Sequence, residues 1–176
     1  FAHQYMEINK LNSLVELFFK KYDSISENKP FLKWLKPDKP FYTWKDIYIR
    51  ILKLTFHIKS LINEGDRCLI LSENRPYWLI SDIAVMNAGG VSVPIFTTYS
   101  SKDYQYILKD CKPSLIIVSN NEQYNKIKNF VGPEVKKIIS FEKLDIESLL
   151  IDEIINISNY KKIINYNLKR TSPACI

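Results

Sequence analysis

Residues 65–76, which read GDRCLILSENRP, decide the fold class of this chain. Within them, Cys68 to Leu71 is a short, wholly apolar run, typical of a central parallel strand that is covered on both faces. A turn at Gly65 precedes the strand, and a polar loop, Ser72 to Arg75, follows it. Pro76 then stands where a helix accepts proline, in its first turn. The stretch therefore predicts a strand that leads through a polar loop into a helix.

Helix and strand patterns alternate on both sides of this stretch. Upstream, Thr43 to Asp46 has the form of a capping box, and the helix behind it has a regular apolar face made of Ile47, Ile51, Leu54, Ile58 and Leu61. Downstream, strands are predicted at Val91 to Ile95, Leu115 to Val118 and Val135 to Ser140. Helices are predicted from Pro76 to Gly89, from a capping box at Ser100 to Asp103, and from a third capping box at Ser119 to Glu122.

This order is the signature of βαβ units with short connections. The sequence therefore predicts an α/β fold, a mostly parallel sheet with helices on both faces. Pro94 suggests that its strand lies at an edge or bulge, since proline cannot donate to a sheet. His57 lies on the polar stripe of its helix, and we interpret it as solvated.

The two ends of the chain have weaker patterns. Leu11 to Tyr22 is predicted to be helical, with Leu14, Leu17 and Phe18 on one side. Residues 24–40 are interpreted as a connection that lies on the surface or packs through Trp34. Leu144 to Leu168 is predicted to contain one or two helices, and Ala174 to Ile176 is predicted to begin a strand.

Composition and charge exclude several classes of function. The chain has 176 residues, enough for one domain with a real core, and a net charge of +6. That charge comes from 21 Lys and only 4 Arg, scattered along the chain. Nucleic-acid surfaces concentrate charge on one face and use Arg for bidentate contacts. We therefore predict solvated lysines and no nucleic-acid partner, and leave a peripheral attraction to anionic lipid headgroups open.

Apolar runs and cysteines indicate the compartment. The longest apolar runs have four residues, far short of a membrane span, and no secretory signal pattern is visible. Cys68, Cys111 and Cys175 are odd in number and far apart, so neither a disulfide framework nor a zinc site fits. We interpret them as buried, reduced thiols of a cytoplasmic protein, with peripheral membrane association left open.

Catalytic and phosphate-binding patterns are absent from the sequence. The four glycines, at positions 65, 89, 90 and 132, permit neither a dinucleotide fingerprint nor a Walker loop. His3 and His57 are too few for a histidine triad or metal cluster. We therefore assign no catalytic, cofactor-binding or metal-binding residue. The loop Ser72 to Arg75 is a candidate on position alone, and we favour a structural role for it, capping and salt-bridging the next helix.

The run from Phe41 to Lys126 resembles the N-terminal part of the AMP-forming acyl-CoA synthetases of the adenylate-forming superfamily. Tyr42 to Asp46 is similar to that family's first core motif, residues 65–78 to the segment behind it, and Asn87 to Ile95 to its second core motif. The sequences of Ser72 to Pro76 and of Thr97 to Ser100 resemble those of the long-chain fatty acid branch of the family.

The resemblance implies a ligase that uses ATP, Mg²⁺ and coenzyme A to activate a fatty acid as acyl-adenylate and then transfer it to the thiol. The family's phosphate loop and later catalytic motifs correspond to positions beyond Ile176, so none of its catalytic residues is carried over. We expect residues 1–40 to be an N-terminal helix and connection. Residues 41–176 would be the N-terminal portion of an AMP-binding domain, truncated before the phosphate loop.

Such a fragment is expected to be inactive alone, to bind none of these cofactors tightly, and to expose an apolar face. Both termini, at Phe1 and Ile176, are interpreted as cuts. Two alternatives stay open: a related adenylating enzyme acting on another carboxylate, and a non-catalytic α/β interaction module. The sequence leaves the oligomeric state open.

Overall fold

The computed structural model describes residues 10–33 and 41–175. In chain order the elements are α1 (Leu14–Asp23), β1 (Pro30–Lys33), β2 (Phe41–Thr43), α2 (Trp44–Ile58), β3 (Arg67–Leu71), α3 (Pro76–Asn87), β4 (Val91–Ile95), α4 (Ser101–Cys111), β5 (Leu115–Val118), α5 (Asn121–Ile127), β6 (Lys137–Ser140), β7 (Leu149–Leu150) and α6 (Ile151–Asn156). A 3-10 turn at Lys128–Phe130 extends α5.

A parallel sheet of five strands forms the centre, in the order β4-β3-β5-β6-β7. Alternate residues of its strands point to opposite faces. On one face Cys68 and Ile70 pack with α1, α2, α3 and α6. On the other, Leu69 and Leu71 pack with α4 and α5. The predicted α/β class, with helices on both faces, is confirmed, because wholly apolar strands require cover on both sides.

The predictions for β3, β4 and the starts of the neighbouring helices are confirmed. β3 lies between β4 and β5, and β4 lies at the end of the five-strand order, as Pro94 suggested. Thr43 and Ser100 both form complete capping boxes, since each side chain accepts from a backbone N–H and the Asp three residues later reaches back. Pro76 opens α3, and Gly89 follows it with φ +92°.

The third capping box is wrong by one residue. Asn120, not Ser119, caps α5, and its side chain accepts from the backbone N–H of Gln123 at 3.1 Å. The backbone N–H of Ser119 donates to Leu71 instead, at 3.2 Å. Ser119 therefore continues the hydrogen bonding between β5 and β3, and the cap moves to the next residue.

The buried face of α1 differs from the predicted one. Val15, Phe18 and Phe19 are buried, whereas Leu14 is 56% exposed. The helix docks through rings: Phe18 lies 5.7 Å from Trp44 between centroids, and Phe19 contacts Tyr48 edge-on. Contacts with α2 therefore choose the buried side, which the local spacing of leucines could not determine.

Two irregular regions were also predicted incompletely. The connection at 24–40 contains β1, which pairs antiparallel with β2, and Phe31 stacks on Trp44 at 3.9 Å between ring centroids. Trp34 itself lies outside the described residues. Where one or two helices were expected between Leu144 and Leu168, the chain forms β7 and the six-residue α6 and then runs on without helix or strand. Its apolar side chains there serve tertiary contacts instead of one helical stripe.

Two side-chain environments also depart from expectation. His57 is half-buried instead of solvated, because the polar stripe of α2 is itself partly covered. Cys68 and Cys111 are buried as expected, but Cys175 is exposed. It begins a strand only in the sense of one parallel bridge, to Ser92.

Candidate functional site

Four polar loops meet at one edge of the sheet. Leu71 is in register with Ile95 and Val118, and Val118 is in register with Ser140. The carboxyl ends of β3, β4, β5 and β6 therefore lie side by side. The loops that follow are 72–75, 96–100, 119–120 and 141–148. In open α/β sheets, ligands bind beyond this edge, so it is the candidate functional site.

The loop between β3 and α3 is held by ion pairs. Arg75 Nη1 lies 2.5 Å from Glu142 Oε1, and Arg75 Nε lies 3.4 Å from Glu73 Oε2. Gln123 Nε2 donates to Glu73 Oε1 at 2.8 Å. Burial alone would raise the pKa of Glu73, but the hydroxyl of Ser119 first, and then the charge of Arg75 and the amide of Gln123, hold it below its ordinary value. The salt-bridging role proposed for residues 72–75 agrees with this geometry.

The predicted capping of α3 by the loop 72–75 does not agree with the structure. Arg75 occupies the cap position of α3, and no side-chain hydrogen bond caps that helix within the described residues. Ser72 Oγ donates to the carbonyl of Glu73 at 2.7 Å, inside its own loop. Pro76 removes one of the N–H groups that a helix start leaves unpaired, and the N–H of Trp78 donates to the carbonyl of Arg75 at 2.9 Å.

A second set of contacts joins α5 to the loop after β4. Lys126 Nζ donates to the carbonyl of Thr97 at 3.0 Å and to Gln123 Oε1 at 2.9 Å, and it lies 3.2 Å from Glu122 Oε1. The Glu122–Lys126 spacing of four residues was readable from the sequence. The contacts of Gln123 and Glu142 were not, since they join residues far apart in the chain.

The loop after β4 carries exposed aromatic rings. Phe96 is 67% exposed, and its ring packs edge-on against Tyr99 at 5.4 Å between centroids. The hydroxyl of the buried Tyr104 donates to the carbonyl of Phe96 at 2.9 Å. The backbone of this loop is therefore fixed from below, while Phe96 faces outward.

The described residues at this edge do not fit Mg²⁺-ATP. Two cations near this edge, Arg75 and Lys126, are engaged by carboxylates, and a third, Lys143 in loop 141–148, is exposed. Loops 72–75, 96–100, 119–120 and 141–148 contain no glycine that would let backbone N–H groups approach a phosphate. No group of three His, Cys, Asp or Glu side chains suited to a metal occurs in residues 10–33 and 41–175. The edge, as described, is a set of braced loops.

An apolar groove of about 510 Å³ lies between α1 and α3 on another side of the protein. Its lining includes Leu14, Leu17, Leu79, Ile83 and Met86, with the carboxyl of Asp82 among them. This is an apolar surface of the kind expected from the sequence. Separately, none of the helices in the described parts of the chain is long and apolar enough to cross a membrane.

The parallel sheet, its two helical layers and its polar carboxyl edge define a protein of the open α/β class. The sequence model described as AMP-binding enzyme matches residues 21–174. The chain therefore belongs to the AMP-binding enzyme family.

Known relatives agree with this assignment. The chain is similar to fatty acyl-CoA synthetase A of Dictyostelium discoideum, 30% identical over 108 residues, which is 61% of this chain and 16% of that protein. It is 27% identical over 146 residues to long-chain-fatty-acid–CoA ligase ACSBG1 of Rattus norvegicus, covering 81% of this chain and 18% of the relative. The chain thus spans less than a fifth of the length of these two relatives.

Coronafacic acid ligase of Pectobacterium brasiliense has a similar fold. Its crystal structure matches with a TM-score of 0.75 at 19% identity, covering 90% of this chain and 32% of the ligase. At this identity the likeness concerns the fold alone.

Proposed function

We propose that these residues are the N-terminal portion of an ATP-dependent long-chain fatty acid–CoA ligase. In the proposed reaction the fatty acid carboxylate attacks the α-phosphate of ATP, with Mg²⁺ present, giving acyl-adenylate and pyrophosphate. The thiol of coenzyme A then attacks the acyl carbon, and AMP leaves. The family match over residues 21–174 carries this proposal.

Within such a ligase, residues 1–40 would form the N-terminal helix and connection, and residues 41–176 the first part of the AMP-binding domain. The chain's own role would be architectural. Its described loops hold one another through Arg75, Gln123 and Lys126. The groups that stabilise charge on the reacting phosphates would come from elsewhere in the longer protein.

A long-chain substrate is favoured over another carboxylate by the relatives' names. Both sequence relatives described above carry a fatty acyl or long-chain fatty acid substrate in their names. The ligase for coronafacic acid supports a different carboxylate only through its fold. Burial of the Cys68 and Cys111 thiols suits the reducing cytoplasm, which we propose as the compartment.

The reading frame beyond Ile176 gives the first test. We expect a Ser/Thr/Gly-rich segment ending in Lys within about fifteen residues, because such a loop brings backbone N–H groups to phosphate. A native stop codon directly after Ile176, together with a native start codon directly before Phe1, would contradict the ligase and favour the non-catalytic module.

Activity of the longer protein gives the second test. The protein is incubated with ATP, Mg²⁺, coenzyme A and either palmitate, benzoate or acetate, and acyl-CoA and AMP are measured by chromatography. We expect product with palmitate and little with the two short acids. Product only with a short acid would support the other-carboxylate alternative, and AMP formation without coenzyme A dependence would contradict the second step.

A further inference from the structure

Residues 157–173, here called the strap, cross α2 and α3 without forming a helix or strand. Contacts with other parts of the chain hold them. Lys53 Nζ lies 5.7 Å from the ring centroid of Tyr160, and Lys162 Nζ lies 5.5 Å from the ring centroid of Tyr48. Arg170 Nε donates to the carbonyl of Leu11 at 2.8 Å. Because a segment of this kind has no internal ladder, its path depends on such contacts.

Asn87, the last residue of α3, makes the most deeply buried of these contacts. Its side chain is fully buried, and its amide group makes three hydrogen bonds. Nδ2 donates to Thr55 Oγ1 at 3.0 Å and to the carbonyl of Ile163 at 2.8 Å. Oδ1 accepts from the backbone N–H of Asn165 at 2.8 Å. Two of the three bonds therefore hold the strap by its backbone, independently of its side chains.

The strap ends beside β4. The backbone N–H of Ser92 donates to the carbonyl of Ala174 at 2.9 Å, and Ser92 pairs in parallel with Cys175. A parallel pairing means that the chain at Cys175 runs towards the carboxyl end of β4. That is the edge where the polar loops lie, and where ligands bind in open α/β sheets.

We propose that Asn87 is a positioning residue that latches the strap and thereby sets the pairing of Cys175 with β4. The fixed points on the strap are the backbone at 163 and 165, held by Asn87, and Arg170, held by Leu11. Only four residues separate Asn165 from Arg170, so displacement of the strap at 163–165 also displaces Arg170 and the segment 171–175 that follows it. Release of the latch therefore frees the end of the strap as well as its middle. The inference goes beyond the proposed function and holds whether or not the longer protein is a ligase.

The test is amide hydrogen exchange, measured by NMR on the 176-residue chain carrying Asn87→Asp. This substitution keeps the side-chain shape and the bond from Asn165, but it removes both Nδ2 donations. The Ser92 amide reports on the distant end of the strap, since its partner is Ala174. We expect about a tenfold loss of protection at Ser92, the effect of local opening where the strap has lost one of its two hydrogen bonds to Asn87 and the carbonyl of Ile163 is left unpaired.

Two controls separate latching from general destabilisation. Thr55→Val removes a buried partner of Asn87 but keeps both strap bonds, so protection at Ser92 should persist. Asn121→Ala removes another long-range bond of an asparagine side chain, in which Asn121 Oδ1 accepts from the backbone N–H of Asp145 at 3.0 Å, and it should also leave Ser92 protected. Loss of protection at Ser92 in either control, equal to that in Asn87→Asp, would overturn the proposal.

Asn165→Pro covers the case in which Asn87→Asp does not fold. It removes the N–H that donates to Asn87 and places no charge in the core. We expect the same loss at Ser92 with amides of β3 and β5 unchanged. Wild-type protection at Ser92 in a folded latch variant would show that Asn87 only satisfies local polar groups, and the proposal would be wrong.

Discussion

At the scale of single residues, His57 illustrates how burial sets protonation. Its Nε2 is buried and finds no hydrogen-bond partner among residues 10–33 and 41–175. Burial lowers the pKa of His57, because the imidazolium loses hydration there. The unfolded chain takes up the proton near the ordinary value of about 6.5. The stability tied to neutral His57 is thus present above that pH and is lost as the pH falls.

We therefore expect the free energy of unfolding to decrease between pH 7 and pH 5 in the wild type, and less so in His57→Leu. Urea denaturation at both pH values measures this. The carboxyl groups with lowered pKa, such as Asp46 and Asp66, titrate below this window. His3→Leu is the control, since His3 is the other histidine. An unchanged pH dependence in His57→Leu would contradict the assignment.

The pKa of Asp82 is shifted in the opposite direction from the pKa values of Asp46 and Asp66. Burial raises its pKa, although Ser92 Oγ donates to it at 2.6 Å and lowers it in part. A raised pKa in the folded state gives a contribution to stability that is present below the ordinary value near 3.8 and is lost as the pH rises through the folded pKa. Ionised Asp82 is therefore a cost of folding at neutral pH.

Asp82→Asn should accordingly gain stability relative to the wild type as the pH rises from about 4 to 7. Asp46→Asn is the matched control with the opposite sign. Burial alone would raise the pKa of Asp46, but hydrogen bonds from Thr43 and the charge of Arg50 keep it low. Relative to the wild type, that variant should lose stability as the pH rises towards about 4 and stay level from pH 4 to 7, because the lowered pKa of Asp46 lies below the ordinary value of 3.8. Urea unfolding at the two pH values compares them, and equal trends in both variants would refute the assignment.

At the scale of elements, the start of α5 separates a local pattern from a tertiary one. Ser119 and Asn120 are both good capping residues, and the residue three positions after Ser119 is acidic, which favoured Ser119. Pairing of β5 with β3 takes Ser119 into the strand, so Asn120 caps. Both residues are candidate caps in the sequence. The length of the pairing between β5 and β3 in the folded protein determines which of them caps α5.

We expect Asn120→Ala to destabilise the protein by about 1 kcal/mol, the usual cost of losing a cap. Ser119→Ala should cost far less, because the buried Ser119 hydroxyl makes no hydrogen bond of normal geometry and has only the Glu73 carboxylate nearby. Thermal and urea unfolding of the two variants measure the difference. A larger loss in Ser119→Ala than in Asn120→Ala would restore the cap that the sequence pattern suggested.

At the scale of the whole molecule, the braced carboxyl edge governs ligand binding. Arg75 and Lys126 are both paired with carboxylates, so a phosphate group would have to compete with Glu142 and Glu122. Phosphate sites built from backbone N–H groups need a glycine-rich loop at a helix start, which this edge lacks.

Calorimetric titration of the 176-residue chain with Mg²⁺-ATP should therefore show no saturable binding with a micromolar Kd. Such a Kd corresponds to a binding free energy of about −8 kcal/mol. Glu142→Gln is an informative companion, because it releases Arg75 from its closest carboxylate. Weak phosphate binding that appears only in this variant would agree with the competition described above. Micromolar binding by the unmodified chain would contradict it.

The parallel sheet was the most predictable part of the molecule. Runs such as Leu115 to Val118 are apolar at every position, and capping boxes at Thr43 and Ser100 fix where helices begin. These signals span a few neighbouring residues, and a wholly apolar run requires cover on both faces of its strand. The candidate edge followed from strand order, because the residues after parallel strands must meet there.

The bracing contacts at that edge could not be predicted in the same way. Arg75 meets Glu142 across 67 positions of the chain, and Gln123 meets Glu73 across 50. A hydrogen bond or ion pair between distant residues leaves no periodic trace in the sequence. The position of the edge was therefore readable, whereas the partner of each polar side chain was not.

By itself, the sequence determined the alternation of strands and helices, the α/β class and the likeness to the adenylate-forming enzymes. Periodicity, caps and short motifs are local properties, and they act wherever the segment lies. Tertiary structure alone decided which side of α1 is buried, where β1 pairs, and how the strap runs. Leu14 faces outward, and the backbone of the strap is hydrogen-bonded to Asn87. Neither could be predicted, because packing energy depends on surfaces that meet only once the chain has folded.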